Sequence, residues 1–383
     1  VIRKTFEDER ERAMALGLWG TVGAAGAAVG PLIGGVLLEH YWWGSVFLIN
    51  VPIMLVVAPV AYALLPRREA TTPGKWAFGQ ALILLVGIIS VVYGIKSGVG
   101  AGQPLWRAGL VLFLGLAMLT WFARIQLRSA EPMLDLSLFR HPAIVVGMVM
   151  ALVASGALAG VELTLAQELQ YVLDKTPLQA GLVMVPIMAA AAVGGPVAGY
   201  LSNRFGLRLV ASMSMAIAAA ALAYLAHADF HAPDWTVPTA LAVLGLTLSI
   251  GLTASSIAIM GAVDASKGGA AGSLEATGYE LGSGLGITLF GVFMASVYTS
   301  TIVLPPHLEP ALGAQAARSI SDSIVVAQGL ATDQADALIM AAKAAFSTTH
   351  SILLTAAAIL IALLSVVVFL MLGSHPEKVG VHE

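Results

Sequence analysis

Cysteine is absent from this chain of 383 residues, which excludes disulfides and thiolate metal sites and leaves the compartment open. Charge is scarce as well. Asp, Glu, Lys and Arg make up 11% of the chain, against about 25% in a soluble domain. The formal net charge of −3 argues against a nucleic-acid partner, which a basic surface would have to hold. Phosphate-binding loops, HExxH and GxSxG are missing. The histidines (His40, His141, His227, His231, His307, His350, His375 and His382) are expected at span ends or in loops, and none is spaced as a metal pair. No Lys, Arg or His is expected well inside a span. An enzyme buried in a membrane would need a constellation that is not here, so neither catalysis nor a bound cofactor is expected.

What is present is apolar length. Hydrophobic residues make up 58% of the chain, and runs of ~20 largely apolar residues mark candidate membrane spans. Such runs fall at 14–38, 45–65, 77–95, 106–123, 142–167, 178–201, 208–226, 237–261, 270–298 and 344–372. Ten spans of an all-α, polytopic membrane protein are therefore expected. Of the 19 lysines and arginines, only Lys96, Arg107, Lys175, Arg318 and Lys343 fall on one side of this alternation. The positive-inside rule then puts both termini in the cytoplasm. Trp42, Trp43, Trp76 and Trp106 stand at span ends and suit interfacial anchoring. The chain opens at Val1 in a charged run, RKTFEDERER, that leads straight into a span. Further residues, including spans, are expected upstream.

The first span carries a stripe: Gly26, Gly30 and Gly34 recur every four residues, with Pro31 among them. Such a stripe lets another helix approach closely, and the proline predicts a bend. Passive packing and a functional hinge both fit it. The one long connection, 299–343, is broken by Pro305, Pro306 and Pro310 and then shows helical spacing. A helical hairpin over the outer mouth is expected there, burying Ile324, Val325, Val326, Leu338, Ile339 and Met340.

Acids inside spans carry the functional expectation, because they are costly in hydrocarbon unless they face a cavity, a partner or an ion. Three stand out: Glu162, Glu275 and Glu280. Removing a carboxylate from water disfavours its charged form, which suits a group that takes up a proton or exchanges it for a cation. Ser273, Thr277, Tyr279 and Ser283 give polar surroundings. Five helical residues turn through about 140°, so Glu275 and Glu280 cannot share one face. Glu162 either lines a cavity or bonds a neighbouring helix. Glu168, further along, reads as interfacial and solvated.

These residues resemble a known family. The pattern G-x8-G-x3-G-P-x2-G-G is met by Gly17, Gly26, Gly30, Pro31, Gly34 and Gly35. It is the antiporter motif of the fifth helix in drug/proton antiporters of the major facilitator superfamily. WGSVFLINVP at 43–52 is similar to the start of the next helix in the fourteen-span branch, and EPMLDLSLFRHP at 131–142 to its linker after two additional helices. GYLSNRFGLR at 199–208 matches a cytoplasmic loop motif through Gly199, Arg204, Gly206 and Arg208, with Asn203 where the family commonly has Asp. AGSLEATGYELGSGLG at 271–286 resembles the acidic thirteenth helix of that branch's quaternary ammonium exporters.

The resemblance covers the whole chain and implies helices five to fourteen of a fourteen-helix transporter, with four helices expected upstream. Residues 1–70 would end the N-terminal bundle, 71–130 would form a two-helix insertion, and 131–383 would form a C-terminal six-helix bundle carrying the outer hairpin. Glycine- and proline-rich stretches in the first, sixth (GGPVAG, 194–199) and ninth spans then fall at equivalent places in three-helix repeats. The resemblance also implies proton-driven export of lipophilic mono- and dications, such as quaternary ammonium biocides, methyl viologen and dyes. The setting would be the bacterial inner membrane, the protein a monomer, and its energy source the proton gradient. Glu275, Glu280, Glu162 and Tyr279 would bind cation and proton. Export of a neutral or anionic metabolite by the same fold is the alternative, and a proton-translocating subunit of a respiratory complex a more distant one. An anionic substrate would want a buried Arg or Lys and a respiratory subunit would want buried lysines in mid-span, and none is seen in these spans. Vesicles holding these 383 residues alone are expected to show no proton-driven ethidium efflux.

Overall fold

The computed structural model describes Gly26 and residues 29–64, 77–99, 104–129, 132–230, 234–263, 268–306 and 308–372. Gly17, Trp76, the charged run at the start of the chain, Arg67, Arg68, Lys75, Lys267, Lys378 and four of the histidines (His231, His307, His375 and His382) lie outside them.

The described residues fold into helices, since apolar stretches of this length can cross hydrocarbon only by satisfying their backbone internally. Val29–His40 is α1 and Ser45–Leu64 is α2. Phe78–Val99 (α3) and Leu105–Arg128 (α4) pair with one another. Pro142–Gln167 is α5, ending in a wider turn of helix at Glu168–Val172. Pro177–Phe205 is α6, Leu207–Leu225 is α7, Thr236–Gly261 is α8 and Gly268–Thr301 is α9. Two short helices, Pro310–Ala316 (α10) and Ile320–Ala327 (α11), precede Thr332–Leu372 (α12). Nine described helices are long and apolar enough to cross a membrane. The expected first span, at 14–38, is represented by α1 and Gly26.

α5 to α9 and α12 form one bundle. Its core runs through Met150, Leu165, Met215, Leu222, Leu244 and Ile361. Alanines on α7 (Ala211, Ala218, Ala219 and Ala221) are buried, which lets α12 and α8 lie close on either side. Ser365 on α12 donates to the Ser212 carbonyl of α7 at 2.8 Å. α5 and α9 meet almost backbone to backbone. A Cβ on Gly156 would stand 2.8 Å from the Gly282 carbonyl oxygen, and one on Gly282 would stand 2.7 Å from Leu152 Cα.

The α3–α4 pair rests against α9. Gln126, buried at the end of α4, donates to Gln80 on α3 at 2.7 Å and accepts from the Leu134 N–H at 3.2 Å. One side chain thus ties the pair to the segment leading into α5. In the connection between α9 and α12, Tyr298 and Ser323 hydroxyls lie 2.9 Å apart and Ser323 donates to the Ala316 carbonyl at 2.7 Å, joining α9, α10 and α11. Ile324, Val326, Leu338 and Ile339 pack as expected, whereas Val325 and Met340 are exposed.

A single residue, Gly206, turns α6 into α7, with φ +83° and ψ 146°. That region is nearly closed to residues with a Cβ and costs of order 1–3 kcal/mol. Gly206→Ala is expected to lower thermal stability in detergent by about that amount, read from the melting of the monodisperse peak. An unchanged melting point would show that the turn relaxes.

Candidate functional site

The α5–α9 contact brings acids from two helices to one region. Glu275 and Tyr279 are four residues apart on α9 and share a face. Both line a cavity of about 290 Å³ between α5, α8 and α9, with Ser249, Thr253, Ser255 and Ser256 on the α8 wall. Ser256 lies within hydrogen-bonding reach of the Glu275 carboxylate. The other serine and threonine protons of the wall are already used: Ser249 donates to the Ala191 carbonyl at 2.7 Å, Thr253 to the Ser249 carbonyl at 3.0 Å and Ser255 to the Leu252 carbonyl at 2.7 Å. Their oxygens keep lone pairs free to accept. A carboxylate beside several hydroxyl oxygens can hold a cation or a proton, and among the described residues no Lys or Arg lines the cavity.

Glu162 on α5 is half-buried and takes no hydrogen bond or ion pair among the described residues. It and Glu280 both stand within electrostatic reach of Tyr279. Glu280 turns away from the cavity and lines a separate one against α3. The helical turn between the two acids of α9 is therefore realised as two different surroundings.

Of the antiporter-motif residues, Gly30, Pro31, Gly34 and Gly35 sit on α1, Gly26 precedes it and Gly17 lies outside the described residues. A Cβ on Gly26, Gly30 or Gly34 would meet nothing within 4 Å among the described residues. The close approach is made by their neighbours. A Cβ on Gly35 would lie 2.6 Å from Leu178 Cα, and one on Gly181 would lie 2.9 Å from the Pro31 carbonyl oxygen. α1 thus meets the first turns of α6. In the loop motif, Gly199 and Asn203 end α6 and Asn203 is exposed. Arg204 donates to the Tyr200 hydroxyl at 3.0 Å. Arg208 donates to the Phe369 carbonyl at 2.8 Å with its guanidinium 3.9 Å from that ring's centroid, holding the end of α12.

Two expectations are corrected. Glu168 is not solvated: it is 4% exposed, inside the wider turn after α5, and accepts from Ser347 on α12 at 2.7 Å. His350 is not at a span end. It is 4% exposed, 5.7 Å from the Phe230 ring, and neither ring nitrogen has a hydrogen-bond partner among the described residues. The cause is common to both. α12 begins at Thr332 and runs 41 residues, so residues near 350 lie well along it and the turn after α5 packs on them. Lys343 on the same helix is ion-paired with Asp174, a non-glycine residue at positive φ in the connection to α6. The α5–α9 approach was also missed as a site-building contact. Its signal was in plain view: Gly278, Gly282 and Gly286 recur at four-residue spacing beside the acids of α9.

A helical membrane bundle with an acid-bearing cavity between helices is the build of a secondary transporter. The chain belongs to the major facilitator superfamily, whose family model matches residues 1–164 and 143–305. It is 43% identical to the methyl viologen resistance protein SmvA of Salmonella typhimurium over 365 residues, which is 95% of this chain and 74% of that one. It is 30% identical to the multidrug efflux pump LfrA of Mycolicibacterium smegmatis over 348 residues, 91% of this chain and 69% of LfrA. The multidrug resistance protein Stp of Mycobacterium tuberculosis is 27% identical over 333 residues, 85% of this chain and 60% of Stp.

Proposed function

We propose that the protein is a proton-driven exporter of lipophilic mono- and dications across the bacterial inner membrane, with Glu275 as the group that binds proton and cation in turn. The observation that carries this reading is the Glu275 carboxylate in a hydroxyl-lined cavity with no cationic residue in its wall among the described residues. The names of the relatives, methyl viologen resistance protein and multidrug efflux pump, support the same substrate class. A carboxylate can hold either a proton or a cation but not both. Each therefore displaces the other, and the competition couples two opposite fluxes. Ser256 on the α8 wall is placed to donate to the carboxylate. Glu162, on the facing helix, adds negative potential near Tyr279. Charge selection follows: an anion entering this cavity would meet like charge and oxygen lone pairs.

The test is transport by the protein as the cell makes it, reconstituted in vesicles with an imposed pH gradient. Methyl viologen and ethidium should move against the proton flux, and a protonophore should stop them. Movement that ignores the gradient, or transport confined to neutral or anionic solutes, would overturn the proposal. Ser256→Ala is expected to weaken dication efflux by about two- to tenfold, the net worth of one ordinary hydrogen bond. Initial rates over a substrate series would read that loss; an unchanged rate would remove Ser256 from the site.

A further inference from the structure

A buried polar group without a hydrogen bond costs stability and calls for a physical reason. His350 on α12 is such a group: it is 4% exposed, and neither ring nitrogen has a hydrogen-bond partner among the described residues. The Phe230 ring stands edge-on to it, and Leu353 and Leu354 are buried one turn on. Leucine would fill such a place at lower cost. The reason lies along α12. Lys343, Ser347 and His350 are spaced by four and then three residues, which puts them on one face of the helix. The chain that leaves α5 meets the first two in turn: Asp174 is ion-paired with Lys343, and Glu168 accepts from Ser347 at 2.7 Å. Glu168 is itself buried and opens the wider turn Glu168–Val172. Such turns hold slack that an α-turn lacks, and they gather at functional sites. A buried carboxylate on one donor thus stands one step short of a buried imidazole on the same face.

We propose that Glu168 is the moving half of a two-position latch between α5 and α12, bonded to Ser347 in the state described and to His350 in a second state. The second state is reached when the end of α5 slides by about 4.5 Å, the rise of three helical residues, along α12. Ratchets of about one helical turn between packed elements are a known form of switching. Each position gives the carboxylate a donor, while the path between them gives it none, so two discrete states are favoured over a continuum. The unbonded imidazole is then the cost that the first state carries for the second to exist. The latch lies where α5 turns toward α6, at the opposite end of α6 from Gly206 and Arg208. It rests on the export reading only for what the second state is for.

The absence of cysteine from these 383 residues allows two thiols to be placed among them. Gln170, just past Glu168, and Leu363, further along α12, are both exposed. Gln170→Cys and Leu363→Cys in the full-length protein carry spin labels in nanodiscs, and double electron–electron resonance reads their separation. The labelled protein should give one main distance. Ser347→Ala removes the first position and should move a major share of the population to a distance about 4–5 Å shorter. Ser347→Ala/His350→Leu should lose the shorter distance, and Ser347→Ala/His350→Gln, which keeps an N–H donor, should regain it. Melting and efflux separate the latch from mere packing. His350→Leu alone is expected to raise the melting temperature, because it removes two buried nitrogens without partners, and to lower efflux about tenfold, because it removes the second position. Unchanged or faster efflux in His350→Leu, a distance that does not shorten in Ser347→Ala, or a shorter distance that survives Ser347→Ala/His350→Leu would each overturn the proposal. The Ser347→Ala measurement decides even if the leucine variants fail to fold. No gradient or substrate enters the distances. A switch between them without efflux would sink the export reading alone, and efflux with one fixed distance would sink the latch alone.

Discussion

Glu275→Gln is expected to reduce proton-driven dication efflux by about 30-fold or more, with normal membrane levels. The substitution keeps the side chain's size and an oxygen for Ser256 to bond. What it removes is the negative charge and the ability to exchange a proton. Losing one partner of a close charge pair in a desolvated site costs ~2–5 kcal/mol, and about 2 kcal/mol is already some 30-fold. Glu275→Asp keeps the charge but retracts it by one methylene, and should recover part of the rate. Efflux of methyl viologen from vesicles, normalised to protein level, measures all three forms. Full methyl viologen resistance in a Glu275→Gln/Glu280→Gln double variant would remove the carboxylates from the mechanism. Loss of protein rather than of transport would assign Glu275 to stability.

Gly35→Ala and Gly181→Ala should each export poorly while inserting normally. These two glycines make the backbone contact between α1 and α6, where an added methyl would stand 2.6 Å from Leu178 Cα or 2.9 Å from the Pro31 carbonyl oxygen. Backbone cannot yield as a side chain can, so the helices must separate, and over-packing of this kind typically costs ~1–3 kcal/mol. If the contact closes in only one state of the transport cycle, that cost appears as a shift of about 5- to 150-fold in the balance of states. A contact present in every state would lower stability and leave the cycle intact. The two cases separate when protein level, melting temperature, efflux and the decay of an imposed pH gradient are measured on the same vesicles. Gly30→Ala is the control: nothing described lies within 4 Å of its new methyl. Equal loss in Gly30→Ala and Gly35→Ala would show that the described contact is not what matters.

Several features were legible in the chain because they are one-dimensional. Apolar runs located the spans, since bilayer thickness sets a minimum length for each. Intramembrane carboxylates flagged the acids of α9, since their cost in hydrocarbon demands a reason. The 100° step between helical residues placed Glu275 and Glu280 on different faces, and they line different cavities. The loop-motif resemblance marked the connection at Gly206. Other features were not legible. The stripe of Gly26, Gly30 and Gly34 looks like a contact surface in any helix, yet the contact falls on Gly35, because crossing angle and depth choose among glycines on one helix. Glu168 looked solvated because a span's end was inferred from hydropathy alone.

Length and composition alone made this a helical membrane protein with acids to explain, because a low-dielectric solvent enforces helices of set length and penalises every buried charge. Which acid meets which wall was decided only in three dimensions. The backbone approach of α5 and α9, the hydroxyls of α8 around Glu275, α3 laid along Glu280 and α12 reaching back over Glu168 all join residues far apart in the chain. Each depends on the relative placement of helices, which sequence spacing within any one helix does not encode.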